Sequence, residues 1–419
     1  MKYMISYQDA KQIVQDLGAA YQSKDMDLPL EEAVGYVCAG DILAPIDVQP
    51  FDNSAMDGFA VRFEDLQGAN EDAPVQLDVD RTIAAGDPIG GAALTKGQCI
   101  EIMTGAAVPA EADVVVPVEL TSQEDAAGKI IFTSEMKKGA NIRYAGEDFQ
   151  KGKAVLTKGT RLLPQHIMVL ATLGVDTVKV KKPSQAMFLA TGDELIDDLS
   201  QDLEPGQIYN SNRPYGLSIL KQMGVQCCND VPKLPDDVDG FVALLNDVME
   251  KDIDLVISSG AVSAGKFDFV KEGLQKIGAE ILFHKVKIKP GKPNLCAKLP
   301  NGTLYFGLPG NPVATAAGLR FFVQPCLQKI LGLKDEKPIY AVAKNDFKKR
   351  AGLQMFLKAD LDYGSDGQLT VDLMTGQESF KVSPFIDMNV WAIAPEAADE
   401  ILAGDIVELY PFYAGQAVA

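Results

Sequence analysis

Between residues 184 and 331 the chain repeats one pattern: a short apolar run, a loop of small and polar residues, then a segment with helical spacing. Gln185-Ala-Met-Phe-Leu-Ala190 runs into Thr191-Gly-Asp-Glu194. Asp254-Leu-Val-Ile-Ser258 runs into Ser259-Gly-Ala-Val-Ser-Ala-Gly265, and Leu304-Tyr-Phe-Gly307 into Leu-Pro-Gly-Asn-Pro312. Buried strands alternating with helices imply a parallel sheet covered by helices on both faces. In such sheets ligands bind beyond the carboxyl ends of the strands, where loops and helix starts expose backbone N–H groups. All three unusual loops fall at such ends, and Asn311 and Pro312 suit the cap and first turn of the helix that follows.

The remaining residues organise around this unit. A chain of 419 residues exceeds what one hydrophobic core supports, so several domains are expected. Ser6 caps a helix with Ala10, Ile13, Val14 and Leu17 on one face, and Leu28 opens a second, short helix. Residues 59–141 read as short strands between Gly- and Pro-containing turns, and 142–182 return to a helical pattern with His166 as a structural residue. Residues after 337 read as strands again, with Trp391 in their core. The expected division is multidomain α/β plus β. Residues 1–46 and 142–182 form a discontinuous helical linking domain, and 47–141 an inserted small β domain. Residues 183–331 form the central α/β domain and 332–419 a C-terminal β domain.

The net charge of −19 argues against a general nucleic-acid binder and requires any anion site to be locally basic. Six cysteines without a Cys-x-x-Cys pair read as reduced packing residues. Two histidines, His166 and His284, leave little material for a histidine metal site or a Ser-His-Asp triad. No signal-peptide pattern and no membrane-length apolar run appear, so a cytoplasmic protein without a membrane partner is expected.

Several motifs carry chemistry. Phe51-Asp-Asn-Ser-Ala-Met-Asp57-Gly-Phe-Ala-Val-Arg62 packs carboxylates into a loop that enters a strand. That arrangement either holds a carboxylate at a surface or is an ordinary Asx-rich turn. Met103-Thr104-Gly places a hydroxyl beside a glycine, again either functional or a plain turn. Lys285, Lys287 and Lys289 alternate, followed by Lys292, a cationic stripe that as a strand would share one face. Its alternative is an edge strand protected by lysines. Small residues at the three α/β loops let phosphate oxygens approach the backbone. Glu194, Asp236 and Asp268 could complete a Mg²⁺ shell with substrate phosphates. Together these features point to a phosphorylated ligand.

The loops also carry a specific resemblance. Phe51-Asp-Asn-Ser-Ala-Met-Asp-Gly-Phe-Ala, Arg143-x-x-Gly-Glu-Asp148, Thr191-Gly-Asp-Glu-Leu195, Ile288-Lys-Pro-Gly-Lys-Pro293 and Gly307-Leu-Pro-Gly-Asn-Pro312 resemble, in order and spacing, the MoeA family of molybdopterin molybdenumtransferases. The match runs over roughly residues 5–331. The resemblance implies a Mg²⁺-dependent insertion of molybdate into adenylylated molybdopterin with release of AMP, a step of molybdenum cofactor biosynthesis. It implies Asp57, Thr104, Glu194 and Asp268 as catalytic residues, and Glu194, Asp236 and Asp268 as metal ligands. Substrate contacts fall on Arg143, Asp148, Ser259, Gly260, Ser263, Lys285, Lys289, Lys292, Pro309, Gly310, Asn311 and Pro312. It implies four domains, a homodimer with a site shared between subunits, and a molybdopterin adenylyltransferase as partner.

The chain departs from the family pattern in places. The family's Ser-Gly-Gly-Val-Ser loop has Ala261 at its third position, where a methyl would crowd a backbone conformation suited to glycine. Ala190 replaces a serine. In the last domain Lys358 stands where an arginine is expected, and Gly376-Gln-Glu-Ser379 replaces a Gln-Gly-Ser segment. Two other functions remain open at this level: a non-catalytic scaffold of the gephyrin type, and a molybdopterin adenylyltransferase.

Overall fold

The computed structural model describes residues 1–88, 90–123, 128–228, 234, 237–261, 269–364 and 367–413. Its largest element is a seven-stranded sheet in the order Lys2–Ile5, Glu280–Val286, Leu295–Lys298, Leu304–Leu308, Leu255–Ser259, Gln185–Ala190, Gln226–Cys227. The three apolar runs of the repeating pattern lie side by side and parallel at its centre. The expectation of a parallel sheet needs correction on one side. Leu295–Lys298 runs antiparallel between Glu280–Val286 and Leu304–Leu308. The connections through 287–294 and 299–303 are too short for a crossover helix, so the chain folds back on itself there.

Successive residues of the central strands feed two cores. Phe188, Ile257 and Phe306 face a cluster with Tyr7, Leu220, Phe321 and Phe322. Met187, Leu189, Val256 and Tyr305 face the opposite cluster with Phe241, Leu245, Val270 and Leu274. Helices thus cover both faces, Tyr7–Ala20, Asn212–Gln222 and Gln324–Ile330 on one and Val238–Met249 and Phe269–Lys276 on the other.

The first residues belong to this body and not to the linking unit in which 1–46 were expected. Lys2–Ile5 adds a parallel strand to Glu280–Val286. Ser6 Oγ accepts from Asp9 N at 3.1 Å and starts the helix Tyr7–Ala20, whose Tyr7, Ala10 and Val14 enter the main core. Gly18 allows that helix to lie against Gln324–Ile330, since a Cβ there would meet Cys326 O at 2.3 Å. The rest of the expected helical linking unit is largely β. Asp25–Pro29 pairs with Thr177–Lys181, and Ile42–Leu43 with Ala154–Leu156. Pro164–Thr172 is its helix, and the short helix expected at Leu28 is a single turn, Leu30–Glu32. The reason is readable in Thr177-Val-Lys-Val-Lys181, where Val178 and Val180 are buried on alternate positions.

The strands expected between 59 and 141 form a six-stranded sheet in the order Val114–Pro117, Gly58–Val61, Gln98–Ile102, Val75–Ile83, Lys129–Phe132, Thr121–Gln123. A second six-stranded sheet holds the C-terminal strands. There a pairing of Gln354–Tyr363 with Val390–Ala394 closes the sheet on itself, and Trp391 is fully buried. Ile288–Lys289 joins this sheet beside Gln354 and Met355, which brings the lysine loop against the C-terminal unit.

Candidate functional site

The carboxyl ends of the central strands open into a cleft of about 1010 Å³. Its walls include Thr191, Gly192 and Glu194 after one strand, Ser259, Gly260 and Ala261 after the next, and Pro309, Gly310, Asn311 and Pro312 after the third. Lys289 and Lys292, both exposed, bring positive charge to the same cleft. Expected substrate residues from three separate stretches, and Glu194 from a fourth, therefore meet in one place.

Close backbone packing holds these loops. Thr191 N donates to Ser259 O at 3.2 Å, and Gly260 N to Leu308 O at 3.0 Å. Gly260 has φ +101°, and a Cβ there would lie 2.7 Å from Thr191 Cγ2, so glycine is needed on both counts. Thr315 Oγ1 donates to Pro309 O at 2.6 Å and lies 3.2 Å from Ser259 Oγ. Asn311 stands at the N-cap of Pro312–Gly318 as expected, but its side chain does not cap the helix. It donates instead to Ser379 Oγ of the C-terminal unit at 2.9 Å.

The lysine stripe does not present one face. Lys285 sits at φ +66°, which breaks the strand alternation, and does not line the cleft. Its ammonium donates to Tyr3 Oη at 3.0 Å and lies 5.2 Å from that ring's centre. Lys287 pairs with Glu396 at 3.3 Å. Only Lys289 and Lys292 of the stripe reach the cleft.

A second group forms on the inserted sheet. Asp57 Oδ1 accepts from both Thr104 N and Thr104 Oγ1, each at 2.7 Å. These bonds, the backbone N–H first and the hydroxyl second, hold the exposed Asp57 carboxyl below its ordinary pKa. The loops are locked by backbone pairing. Ser54 N donates to Ala106 O at 3.0 Å and Gly105 N to Ser54 O at 2.8 Å. Arg143 pairs with Asn53 across a short ladder, and Asp148 N donates to Val48 O at 2.9 Å. Gly58 lets the strand pass close to its neighbour, since a Cβ there would sit 2.0 Å from Val116 O. Asp57, Thr104, Arg143 and Asp148 are thus gathered around one loop stretch. None of the four lines the cleft.

The expected metal set is only partly placed. Glu194 lines the cleft and is exposed. Asp236, Asp268 and the substrate candidate Ser263 lie outside the described residues; the neighbouring Asp237 is the N-cap of Val238–Met249 and accepts from Gly240 N at 2.8 Å. Among the described residues no three His, Cys, Asp or Glu side chains are clustered to hold a metal. A carboxylate in a cleft that also holds two lysines has the donor chemistry for Mg²⁺ shared with an anionic ligand. Among the described residues, too, no helix is long and apolar enough to cross a membrane.

Sequence reasoning missed part of the wall. Tyr209, Asn210 and Asn212 line the cleft, although the run Asn210-Ser-Asn reads only as a helix start. Asn212 is buried and donates to Ser259 Oγ at 2.7 Å and Gly310 O at 2.6 Å. Two asparagines around a helix start, Asn210 before it and Asn212 as its first residue, were the available signal. Gln377, Ser379 and Phe380 close the cleft from the C-terminal unit, a contact that no local pattern announces.

Comparison with known proteins identifies the family. Residues 5–174 match the family described as MoeA N-terminal region (domain I and II), and residues 187–329 match the probable molybdopterin binding domain. The molybdopterin molybdenumtransferase of Haemophilus influenzae is 37% identical over 389 residues, covering 92% of this chain and 93% of that one. Its Synechococcus elongatus counterpart is 35% identical over 385 residues, covering 91% and 93%. The crystal structure of a molybdopterin biosynthesis MoeA protein from Pyrococcus horikosii superposes with a TM-score of 0.83 at 28% identity, covering 98% of this chain and 99% of that one. With this similarity spanning nearly the whole chain, the chain belongs to the MoeA family.

Proposed function

We propose that this chain is a molybdenumtransferase of molybdenum cofactor biosynthesis, which inserts molybdate into adenylylated molybdopterin and releases AMP. The observation that carries the reading is the convergence of Glu194, Ser259, Gly260, Lys289, Lys292 and the Pro309–Pro312 turn on one cleft at the strand ends, in a chain of this family. The lysines neutralise phosphate oxygens, and Gly260 and Gly310 let those oxygens approach the main chain. Glu194 would hold a Mg²⁺ ion jointly with substrate oxygens, and such an ion supplies Lewis-acid polarisation of phosphorus when bound. No protein nucleophile is needed: the two dithiolene sulfurs would replace an oxygen of molybdate, which leaves as water with their protons, and one water would open the phosphoanhydride to give AMP and the pterin phosphate.

The separation of Asp57, Thr104, Arg143 and Asp148 from the cleft supports a homodimer in which the inserted sheet of one subunit faces the cleft of the other. A molybdopterin adenylyltransferase is the natural supplier of substrate, and a cytoplasmic location fits the proposed reaction. The test is AMP release from adenylylated molybdopterin with and without molybdate, with and without Mg²⁺. Molybdate- and Mg²⁺-dependent release that falls at least about 100-fold in Glu194→Ala is expected. Wild-type rates in that variant would remove Glu194 from the site, and release indifferent to molybdate would overturn the reaction itself.

A further inference from the structure

Lys358 lies in the strand Gln354–Tyr363 with no exposed surface. Its ammonium is bound by main-chain carbonyls: Gly376 O at short range, Lys381 O at 2.9 Å and Glu378 O at 3.2 Å. The nearby carboxylate of Glu378 turns away to Lys381, at 3.1 Å. Three N–H donors thus meet three acceptors, the full capacity of an ammonium. The same segment is fastened to the strand a second way. Lys358 N donates to Gln377 Oε1 at 2.9 Å, while Gln377 Nε2 donates back to Lys358 O at 2.8 Å.

Beyond these anchors the segment reaches the cleft. Gln377, Ser379 and Phe380 line it, and Phe380 is 65% exposed. Ser379 also touches the start of the Pro312 helix, accepting from Asn311 Nδ2 at 2.9 Å and, through its carbonyl, from Val313 N at 3.2 Å. A buried charge is costly unless fully bonded, and an apolar residue here would take the side-chain donor from the carbonyls of Gly376 and Lys381, while Glu378 O would keep only its bond from Lys381 N, at 3.2 Å.

We propose that Lys358 is a positioning residue for the cleft: its buried ammonium gathers three carbonyls of residues 376–381 and holds that segment as the C-terminal wall of the substrate site. Lys358 itself touches no ligand. The inference rests on the cleft being the substrate site, and the experiment separates the two.

Hydrogen exchange by mass spectrometry on the full-length protein, comparing wild type with Lys358→Met, reads the clamp without any substrate. Amides of 376–381 are expected to exchange at least about tenfold faster in the variant, with those of Gln185–Ala190 unchanged. Lys358→Arg, which keeps charge and donors, is expected to restore most of the protection. Equal exchange in wild type and Lys358→Met overturns the clamp. Should Lys358→Met fail to fold, Gln377→Leu removes the second fastening and carries the same expectation. In the transfer assay KM for adenylylated molybdopterin is expected to rise at least about fivefold with kcat within about twofold. Faster exchange with an unchanged KM overturns the role of the segment in the site. Loss of the transfer reaction in the wild type would instead count against the proposed function, leaving the exchange result standing.

Discussion

Asn212 and Ser259, 47 residues apart, are joined by a buried 2.7 Å hydrogen bond, and the same amide reaches Gly310 O at 2.6 Å. One side chain therefore ties together two of the three strand-end loops that wall the cleft. Asn212→Ala is expected to destabilise the protein by ~1–3 kcal/mol, because it leaves the buried Ser259 hydroxyl and the Gly310 carbonyl without this donor. It should also raise KM for adenylylated molybdopterin more than it lowers kcat. Urea denaturation together with steady-state AMP release checks both. A variant of unchanged stability and KM would show that the loops hold each other without it.

The Asp57–Thr104 pair gives a pH prediction. The Asp57 carboxyl is held below its ordinary pKa by the Thr104 N–H and hydroxyl. A depressed folded-state pKa means that the unfolded chain binds the proton more readily. The stabilising contribution is thus fully present above the ordinary carboxylate pKa of about 3.9 and is lost as pH falls through the lowered folded value. Thr104→Val removes the hydroxyl and leaves the N–H, so Asp57 should titrate closer to its ordinary value while staying below it. Carbon-detected NMR titration of Asp57 in both proteins reads this directly. Identical titration curves would mean that the hydroxyl contributes nothing.

Ala261 has φ +54°, a left-handed conformation that disfavours a Cβ. The crowding anticipated from the sequence at this family-glycine position thus has a backbone counterpart. Ala261→Gly is expected to stabilise the protein by up to ~1 kcal/mol, the relief of strain being partly offset by the greater freedom of glycine when unfolded. Ala261→Val should destabilise it by more than that. Thermal melts of the three proteins give the order, and a glycine variant less stable than wild type would refute the strain.

Much of this site was legible because its residues lie in loops whose chemistry is local. Gly260, Pro309 and Pro312 announce tight turns at strand ends, and strand ends of an α/β sheet are where ligands collect. What the sequence hid is long-range. Lys285 looked equivalent to Lys289 by alternation, but its positive φ turns it to Tyr3 at the N-terminal strand. The first helix looked like part of a linking unit, yet Tyr7, Ala10 and Val14 face the main core, since their spacing says that one side is buried without saying against what. Ser379 and Phe380 reach the cleft from the C-terminal unit, which also takes Ile288–Lys289 as an edge strand, and neither contact has a local sequence signal.

Arg320 and Glu336 join the body to the C-terminal unit. Arg320 is 3% exposed and grips both carboxylate oxygens of Glu336, at 2.8 and 2.7 Å, while its Nε donates to Pro411 O at 3.0 Å. Removing one partner of a buried pair leaves the other charge uncompensated. Glu336→Ala should therefore cost ~3 kcal/mol in urea denaturation, with KM for adenylylated molybdopterin little changed because neither residue lines the cleft. A loss below about 0.5 kcal/mol would class the pair with surface bridges.

The last prediction concerns how the two groups of site residues meet. Asp57 bonds Thr104 at the end of the inserted sheet, Arg143 and Asp148 pair with Asn53 and Val48 in the stretch leading into it, and none of the four lines the cleft that contains Glu194, Lys289 and Lys292. If both groups act on one substrate, the partner subunit must supply one of them. Asp57→Ala and Glu194→Ala chains, each inactive alone, should then recover activity when mixed, unfolded and refolded together. Random pairing makes half of the dimers mixed, each with one intact composite site, so about a quarter of wild-type activity is expected. Mixed dimers that remain inactive while both chains fold and associate would place all of these residues on one subunit's own site, or would separate their roles altogether.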